Sequence, residues 1–242
     1  MQFMTTARPR GQWAVLTILI GTLLSSCNSS PQDRVSSQPT ANHTTTPENN
    51  TAMKTILFYG NSITAGYGLD PNQAFPAHIQ QRLDSMGLPY QVVNAGLSGE
   101  TTTGGLTRLD WVLDQQPVDV FVLELGANDG LRGINPEESQ KNLQAILNRV
   151  KDTYPQAQLV ITGMESPPNM GSDYTQQFRS MFRELAQANP QATFVPFILE
   201  GVAGNPALNL GDGIHPTAEG HRLVAQHLWS FLAPLFNPAT AS

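Results

Sequence analysis

Cysteine and clustered basic side chains are what this sequence has least of. Its 242 residues contain one cysteine, which excludes an intramolecular disulfide and any cysteine-rich zinc or iron–sulfur site. Residues 53–242 carry 10 Lys and Arg against 17 Asp and Glu. This acidic excess argues against nucleic acid as a partner, because phosphate binding needs clustered basic side chains. About 190 residues can bury roughly 70% of their unfolded surface, so we expect one domain without cross-links.

A long hydrophobic run is also missing from the N-terminal segment. The apolar stretch Trp13–Leu24 would span roughly 18 Å as a helix, short of the ~30 Å hydrocarbon core. It follows Arg8 and Arg10, which is the pattern of a secretory signal peptide. Its end, Leu24-Ser25-Ser26-Cys27, resembles the lipobox of bacterial lipoproteins, in which Cys27 would become the lipid-modified N-terminus. The alternative is an ordinary signal peptide with an incidental cysteine.

The segment that follows lacks large apolar side chains. Residues 28–52 are rich in Ser, Thr, Asn, Gln and Pro, and such a composition cannot offset the entropy of ordering by burial. We predict a signal peptide over 1–26, a lipidated cysteine and flexible tether over 27–52, and a folded domain over 53–242. The expected location is outside the inner membrane, anchored and facing the periplasm or cell exterior.

Apolar runs in the domain alternate with helical patterns. Apolar residues at i, i+3, i+4 and i+7 predict helices around Leu143–Val150, Phe178–Leu185 and Val224–Leu235. This alternation predicts a three-layer α/β/α sandwich with a flavodoxin-like, five-stranded parallel sheet. The ligand site is then expected beyond the carboxyl ends of the strands. The predicted strands are Thr55–Gly60, Tyr90–Asn94, Val118–Leu125, Leu159–Gly163 and Thr193–Phe197.

Polar residues or glycines that could take part in catalysis or binding follow four of these strands. Ser62 is a candidate nucleophile or a helix cap, and Gly99 offers a backbone N–H or forms a tight loop. Asn128 can donate a side-chain hydrogen bond or occupy an ordinary turn. Asp212 and His215 can face one pocket as acid and base, or form a turn before a helix. Each motif taken singly leaves both interpretations open.

The combination resembles the SGNH or GDSL family of serine hydrolases over Lys54–Phe236. The similarity is greatest to its bacterial branch of arylesterases, lysophospholipase L1 and acyl-CoA thioesterase I. The motifs that carry the resemblance are Gly60-Asn61-Ser62, Ser98-Gly99-Glu100-Thr101, Glu124-Leu125-Gly126-Ala127-Asn128-Asp129 and Asp212-Gly213-Ile214-His215-Pro216.

The resemblance implies a role for each candidate. Ser62 would be the nucleophile, His215 the general base and then acid, and Asp212 the residue that orients His215. The oxyanion hole would consist of the backbone N–H groups of Ser62 and Gly99 with the Asn128 side chain. No cofactor or metal is expected. The expected substrate is a small-molecule ester or lipid, and the expected state is a monomer held at a membrane by its anchor.

One position departs from the family, which usually has Asp before the nucleophile where this chain has Asn61. Asparagine still forms hydrogen bonds but carries no charge. The expected reaction is hydrolysis of aryl or acyl esters, including lysophospholipids or thioesters. The alternatives are O-deacetylation of carbohydrate or cell-wall polymers, and a noncatalytic binding lipoprotein.

Other residues are assigned structural roles or left open. We expect surface or structural roles for His78, His221 and His227, which fall on helical segments. The segments Met164–Gly171 and Ile198–Leu210 each follow a strand. Each forms either a wall of the acyl pocket or a plain connection.

Overall fold

One parallel sheet of five strands forms the centre of the domain. The computed structural model describes residues 52–236, so the predicted signal peptide, Cys27 and nearly all of the predicted tether lie outside the described residues. The strands are β1 Lys54–Gly60, β2 Tyr90–Gly96, β3 Val120–Glu124, β4 Gln158–Thr162 and β5 Thr193–Val195. Their order, β2-β1-β3-β4-β5, is flavodoxin-like, as predicted.

Helices cover both faces of this sheet. The helices are α1 Ser62–Ala65, α2 Phe75–Ser85, α3 Thr102–Leu113, α4 Ala127–Arg132, α5 Pro136–Thr153, α6 Ser172–Ala188 and α7 Ala218–Phe236, with 3₁₀ turns at Pro71–Gln73 and Pro168–Met170. Helix α2 packs against α7, while α3 and α6 pack against α5. The predicted α/β/α sandwich is confirmed, and the three predicted helices are α5, α6 and α7. Within residues 52–236, no helix is long and apolar enough to span a membrane.

The central strands β1 and β3 are buried on both faces. The side chains of Ile56–Tyr59 and of Val120–Leu123 are at most 1% exposed. Their continuous apolar sequences fit a strand that has helices above and below it. The two strands pair in register, with Ile56 opposite Val120.

The carboxyl ends of β1, β2 and β3 are level with one another. Gly60 pairs with Gly96 on one side and with Glu124 on the other. The loops that leave these three strands therefore begin side by side at one edge of the sheet. The long connection from β5 to α7 is tied into a turn, in which the Leu210 N–H donates to the His215 carbonyl at 2.7 Å.

Candidate active site

Ser62 is the first residue of α1, in a tight turn directly after β1. The side chain of Asn61 caps this helix by accepting the Ile63 N–H at 2.9 Å. Gly66 ends the helix in the left-handed conformation, with a φ of 74°. A side chain at Gly60 would collide with Thr64 and with Glu124, so this position requires glycine. The turn thereby holds the Ser62 hydroxyl at the carboxyl edge of the sheet.

A chain of hydrogen bonds joins Ser62, His215 and Asp212. The Oγ of Ser62 lies 2.9 Å from the Nε2 of His215. On the opposite side of the ring, Nδ1 lies 2.7 Å from Oδ2 of Asp212. An ionised carboxylate only accepts, so Nδ1 carries the proton and Nε2 is free to accept from the serine hydroxyl. The structure thus brings together the three residues that the sequence predicted as nucleophile, base and acid.

The Asp212 carboxylate is held by backbone hydrogen bonds as well as by its contact with His215. Its Oδ1 accepts the backbone N–H groups of Ile214 at 2.9 Å and His215 at 3.0 Å. The His215 ring and these two N–H groups lower the pKa of Asp212 to about 2. The carboxylate is therefore ionised at neutral pH, and the 37% of its side chain that is exposed to water also favours the charged form.

The predicted oxyanion residues lie on two adjoining loops. Gly99 has a φ of 81°, a conformation that favours glycine, and its carbonyl accepts from Arg132 at 3.0 Å. Asn128 lies in the first turn of α4, and its Nδ2 donates to the Glu100 carbonyl at 3.0 Å. Since an amide nitrogen carries two hydrogens, one of them stays available to a ligand.

These loops adjoin the serine turn. The N–H of Leu97, two residues before Gly99, donates to the Gly60 carbonyl at 2.9 Å. Ile63 and Ala127, which are the chain neighbours of Ser62 and Asn128, line one groove together. The donors expected to bind an oxyanion are thus placed at the same edge as the serine hydroxyl.

An apolar groove opens beside this site. Its volume is about 520 Å³, and its lining is mainly apolar. Met164 and Pro167 contribute one wall, and Leu199 and Ala203 contribute another. The two segments left open between pocket wall and plain connection therefore both line the groove. Ile214, which precedes His215 in the chain, also lines the groove.

Other acidic side chains next to the site are held by the scaffold. Asp129 is fully buried and accepts from the backbone and hydroxyl of Thr102 and from the hydroxyl of Ser139. Glu100 pairs with Arg108. Among residues 52–236, no three His, Cys, Asp or Glu side chains are grouped to hold a metal ion.

The remaining histidines of the described domain have structural contacts. His221 is fully buried, and its Nδ1 accepts the Phe75 N–H at 3.2 Å. Burial lowers the pKa of His221 to about 4, so this ring is neutral. His227 bonds to the Phe197 carbonyl, and His78 lies on the exposed face of α2 near Gln81.

Sequence reasoning missed two neighbours of the predicted site. The ring of Tyr67 lies on the His215 imidazole, with centroids 4.4 Å apart. Glu124 lies beneath the serine turn and accepts hydrogen bonds from Asn61 and Thr64. The contact to Tyr67 has no signal in the spacing of the sequence. Glu124 is the last residue of the buried strand β3, and its contact with the serine turn has no such signal either.

Comparison with known proteins supplies the family. Residues 58–223 match the GDSL-like lipase/acylhydrolase family. The chain belongs to this family. Esterase TesA of Pseudomonas aeruginosa is 39% identical over 184 residues, which is 76% of this chain and 90% of that protein. The thioesterase 1/protease 1/lysophospholipase L1 of Escherichia coli is 34% identical over 77% of this chain and 86% of that protein.

A solved structure agrees with this family assignment. The esterase EstA from Pseudoalteromonas sp., in a structure inhibited by monoethylphosphonate, superposes with a TM-score of 0.71. It is 30% identical, and the match covers 76% of this chain and 99% of that one. The predicted α/β fold of this chain is therefore also the fold of a solved esterase.

Proposed function

We propose that the protein is a serine esterase that hydrolyses carboxylic esters through an acyl-enzyme on Ser62. The observation that carries this proposal is the hydrogen-bonded chain from Ser62 to His215 to Asp212, at 2.9 and 2.7 Å. A serine hydroxyl becomes an effective nucleophile only with an adjacent base, and the base needs a third group to orient it. Membership of an acylhydrolase family supports the same reaction.

Acylation begins at the Ser62 hydroxyl. Its oxygen attacks the carbonyl carbon of the ester while its proton moves to Nε2 of His215. The ionised Asp212 stabilises the positive charge that develops on the imidazole ring. The protonated ring then donates this proton to the leaving alcohol or thiol as the bond to carbon breaks. The acyl group remains on Ser62 as an ester.

The negative charge on the carbonyl oxygen needs fixed donors. We assign this role to the backbone N–H groups of Ser62 and Gly99 and to the free hydrogen of the Asn128 amide. Donors of this kind are worth about 3 kcal/mol each, because they are already oriented when the charge appears. The bond from Asn128 to the Glu100 carbonyl keeps the amide from turning away.

Deacylation repeats these steps with water in place of the serine hydroxyl. Nε2 of His215 accepts a proton from water as its oxygen attacks the acyl carbon. The proton then passes to Oγ of Ser62 when the acyl bond breaks, and a carboxylic acid leaves. The cycle consumes one water molecule and regenerates the enzyme.

The apolar groove supports acyl chains as the substrate class. Burial of each methylene group contributes about 0.8 kcal/mol, so the affinity of this apolar groove for an acyl chain should increase with chain length. Four apolar side chains around the site are exposed by 43 to 51%: Tyr67, Leu97 and Ile214 in loops, and Leu131 in α4. Apolar side chains exposed at a mouth suit a lipid substrate such as a lysophospholipid. They also suit a thioester, whereas a glycan acetyl ester would leave the groove empty.

Hydrolysis of p-nitrophenyl esters, from acetate to palmitate, tests the proposal. The wild type should turn over several of these esters, and Ser62→Ala should lose at least about a thousandfold in kcat. Ser98→Ala is the matched control, because Ser98 is an exposed serine in the neighbouring loop. Absence of turnover by folded wild-type protein would favour the binding-lipoprotein alternative. Activity restricted to acetate would favour a deacetylase.

We propose further that the domain is anchored through Cys27. The apolar run with its preceding arginines and the following Leu24-Ser25-Ser26-Cys27 supports this proposal. Expression in a bacterium fed an alkyne-tagged fatty acid should label the wild type and leave Cys27→Ser unlabelled. Membrane fractions should then contain the wild type, while the Cys27→Ser variant should be recovered outside them. Equal labelling of both proteins would contradict the anchor.

A further inference from the structure

The loop that carries Gly99, between β2 and α3, is held at its base by one arginine. The Glu100 carboxylate is buried and accepts from Nε of Arg108 at 2.8 Å. The same guanidinium donates through Nη2 to the Ala95 carbonyl at 2.9 Å. Arg108 therefore joins the first part of the loop to the residue that follows Gly99, and the chain is fixed on both sides of this glycine.

Gly99 itself lies at an open position of this loop. Glycine has no side chain, so it rotates more freely about φ and ψ than other residues do. A β-carbon at Gly99 would lie 3.9 Å from Nη2 of Arg132, and no other non-hydrogen atom of residues 52–236, beyond the chain neighbours, would be within 4 Å of it. The direction of the Gly99 N–H therefore depends on the contacts that hold its peptide groups.

Arg132, the last residue of α4, provides such a contact. Its Nη2 donates to the Gly99 carbonyl at 3.0 Å. Arg132 lies on the same face of α4 as Asn128, one helical turn earlier, whose Nδ2 donates to the Glu100 carbonyl at 3.0 Å. Two side chains of one helix face thus hold the two carbonyls that follow the Gly99 N–H in the chain.

The guanidinium of Arg132 suits this task. It is exposed, and no carboxylate among residues 52–236 forms an ion pair with it. Hydrogen bonds from a charged donor are roughly twice as strong as those between neutral groups. The positive charge of Arg132 is therefore directed at the Gly99 carbonyl.

We propose that Arg132 is a positioning residue for the oxyanion hole, because its bond to the Gly99 carbonyl keeps the Gly99 N–H directed at the oxyanion. The proposal rests on the proposed esterase function, in which Ser62 is the nucleophile and Gly99 an oxyanion donor. Arg132 acts through Gly99 and contacts no reacting atom. Its loss should leave the ester bound as before, while the transition state loses part of one donor.

Substitution of Arg132 tests this role with p-nitrophenyl butyrate, which is a neutral ester. Arg132→Met keeps the length of the side chain but removes its donors, and should lower kcat by at least about tenfold with less than about a twofold change in KM. Arg132→Lys keeps a charged donor and should recover to within about threefold of the wild type. Arg183→Met, an exposed change on α6, is the matched control and should not change kcat.

Three kinetic results would overturn the proposal. The first is a kcat of Arg132→Met within about twofold of the wild type. The second is a loss confined to KM, which would make Arg132 a binding contact for the substrate. The third is an equal loss in Arg132→Lys and Arg132→Met, which would show that the donor is not what matters.

NMR relaxation of the Gly99 amide reports the positioning independently of activity. The order parameter of a rigid backbone amide is about 0.85, and that of a flexible one is below about 0.6. The Gly99 amide should be rigid in the wild type and in Arg183→Met, and its order parameter should fall towards about 0.6 in Arg132→Met. An unchanged order parameter in Arg132→Met would overturn the proposal. A fall in a protein whose wild type hydrolyses no ester would contradict the esterase proposal and support the tie between Arg132 and Gly99.

Discussion

The Tyr67 ring lies against the His215 imidazole, with ring centroids 4.4 Å apart and planes inclined by 37°. Tyr67 follows the left-handed Gly66 and donates its N–H to the Ser62 carbonyl at 3.0 Å. The turn that carries the proposed nucleophile therefore also places an aromatic ring on the proposed base. This contact limits the positions that the imidazole can take and covers one face of it from water.

Removal of this ring should lower catalytic turnover. Aromatic contacts of this kind are worth about 0.5–1.5 kcal/mol, so Tyr67→Ala should lose roughly three- to tenfold in kcat. Tyr67→Phe keeps the ring and should retain most of the activity. Steady-state kinetics with p-nitrophenyl butyrate measures both. An equal loss in the phenylalanine variant would assign the effect to the hydroxyl and contradict the role of the ring.

Neutralisation of Asp212 should impair the reaction more strongly. Asp212→Asn removes the charge that stabilises the imidazolium and allows the wrong ring tautomer, so kcat should fall by at least about 100-fold. The measurement is kcat with KM and Tm alongside it. Asp173→Asn, an exposed change at the start of α6, is the matched control. Retention of more than a tenth of the activity by Asp212→Asn would contradict the assignment of Asp212.

Glu124 and Asp212 should affect stability with opposite dependence on pH. Burial raises the pKa of Glu124 from 4.5 to about 7, against the lowering effect of its hydrogen bonds to Thr64 and Asn61. The folded state then holds this proton between about pH 4.5 and 7 while the unfolded state loses it. The contribution of Glu124 to the free energy of unfolding should therefore decrease as pH rises through this range. The groups that donate hydrogen bonds to Glu124 are the Asn61 amide, the Thr64 hydroxyl and the backbone N–H groups of both residues, and none of them is charged.

Asp212 contributes in a lower range. Its pKa is lowered from 3.8 to about 2, so its stabilisation is present above about pH 3.8 and is lost as pH falls towards 2. The effect should be small because the side chain is partly exposed. The difference in denaturant unfolding between the wild type and Glu124→Gln from pH 4 to 8 isolates the Glu124 contribution, because His221, whose lowered pKa gives a slope of the opposite sign, is present in both proteins. The free energy of unfolding should fall less, or rise more, with pH in Glu124→Gln than in the wild type. Equal pH dependence in the two proteins would show that Glu124 does not contribute.

Obstruction of the apolar groove should change chain-length preference. Ala203→Trp fills space in the groove and should lower kcat/KM for octanoate and longer esters by about tenfold, with little change for acetate, because only long chains lose buried area. Ala188→Trp, exposed at the end of α6, controls for a large surface residue. Kinetics over the ester series gives the comparison. Equal losses for acetate and octanoate would place the acyl chain elsewhere.

The sequence predicts the fold where burial leaves a continuous apolar run. Strands β1 and β3 are central and covered on both faces, so their runs are unmistakable. The ends of strands are less predictable. The run Thr193–Phe197 extends past β5, which stops at Val195 because Pro196 has no N–H to continue the pairing. Likewise, Val118–Leu125 is longer than β3, whose pairing with β1 begins at Val120.

The candidate site, like the fold, could be predicted only in part from the sequence. Ser62, Asp212 and His215 were predicted from motifs that resemble the SGNH family, and these motifs follow strands, whose ends meet at one edge of the sheet. The contacts of Tyr67 with His215 and of Glu124 with Asn61 depend on the path of a turn and the rotamer of a side chain. Neither leaves a periodic or spaced pattern, so sequence reasoning had no means to predict them.

Covalent labelling of Ser62 tests the central claim most directly. A fluorophosphonate should react with the folded protein, and peptide mass spectrometry should find one adduct, on the peptide that contains Ser62. His215→Ala should label at a rate lower by at least about 100-fold, because the hydroxyl loses its base. Folded wild-type protein that forms no adduct, or forms it on Ser98 instead, would contradict the account.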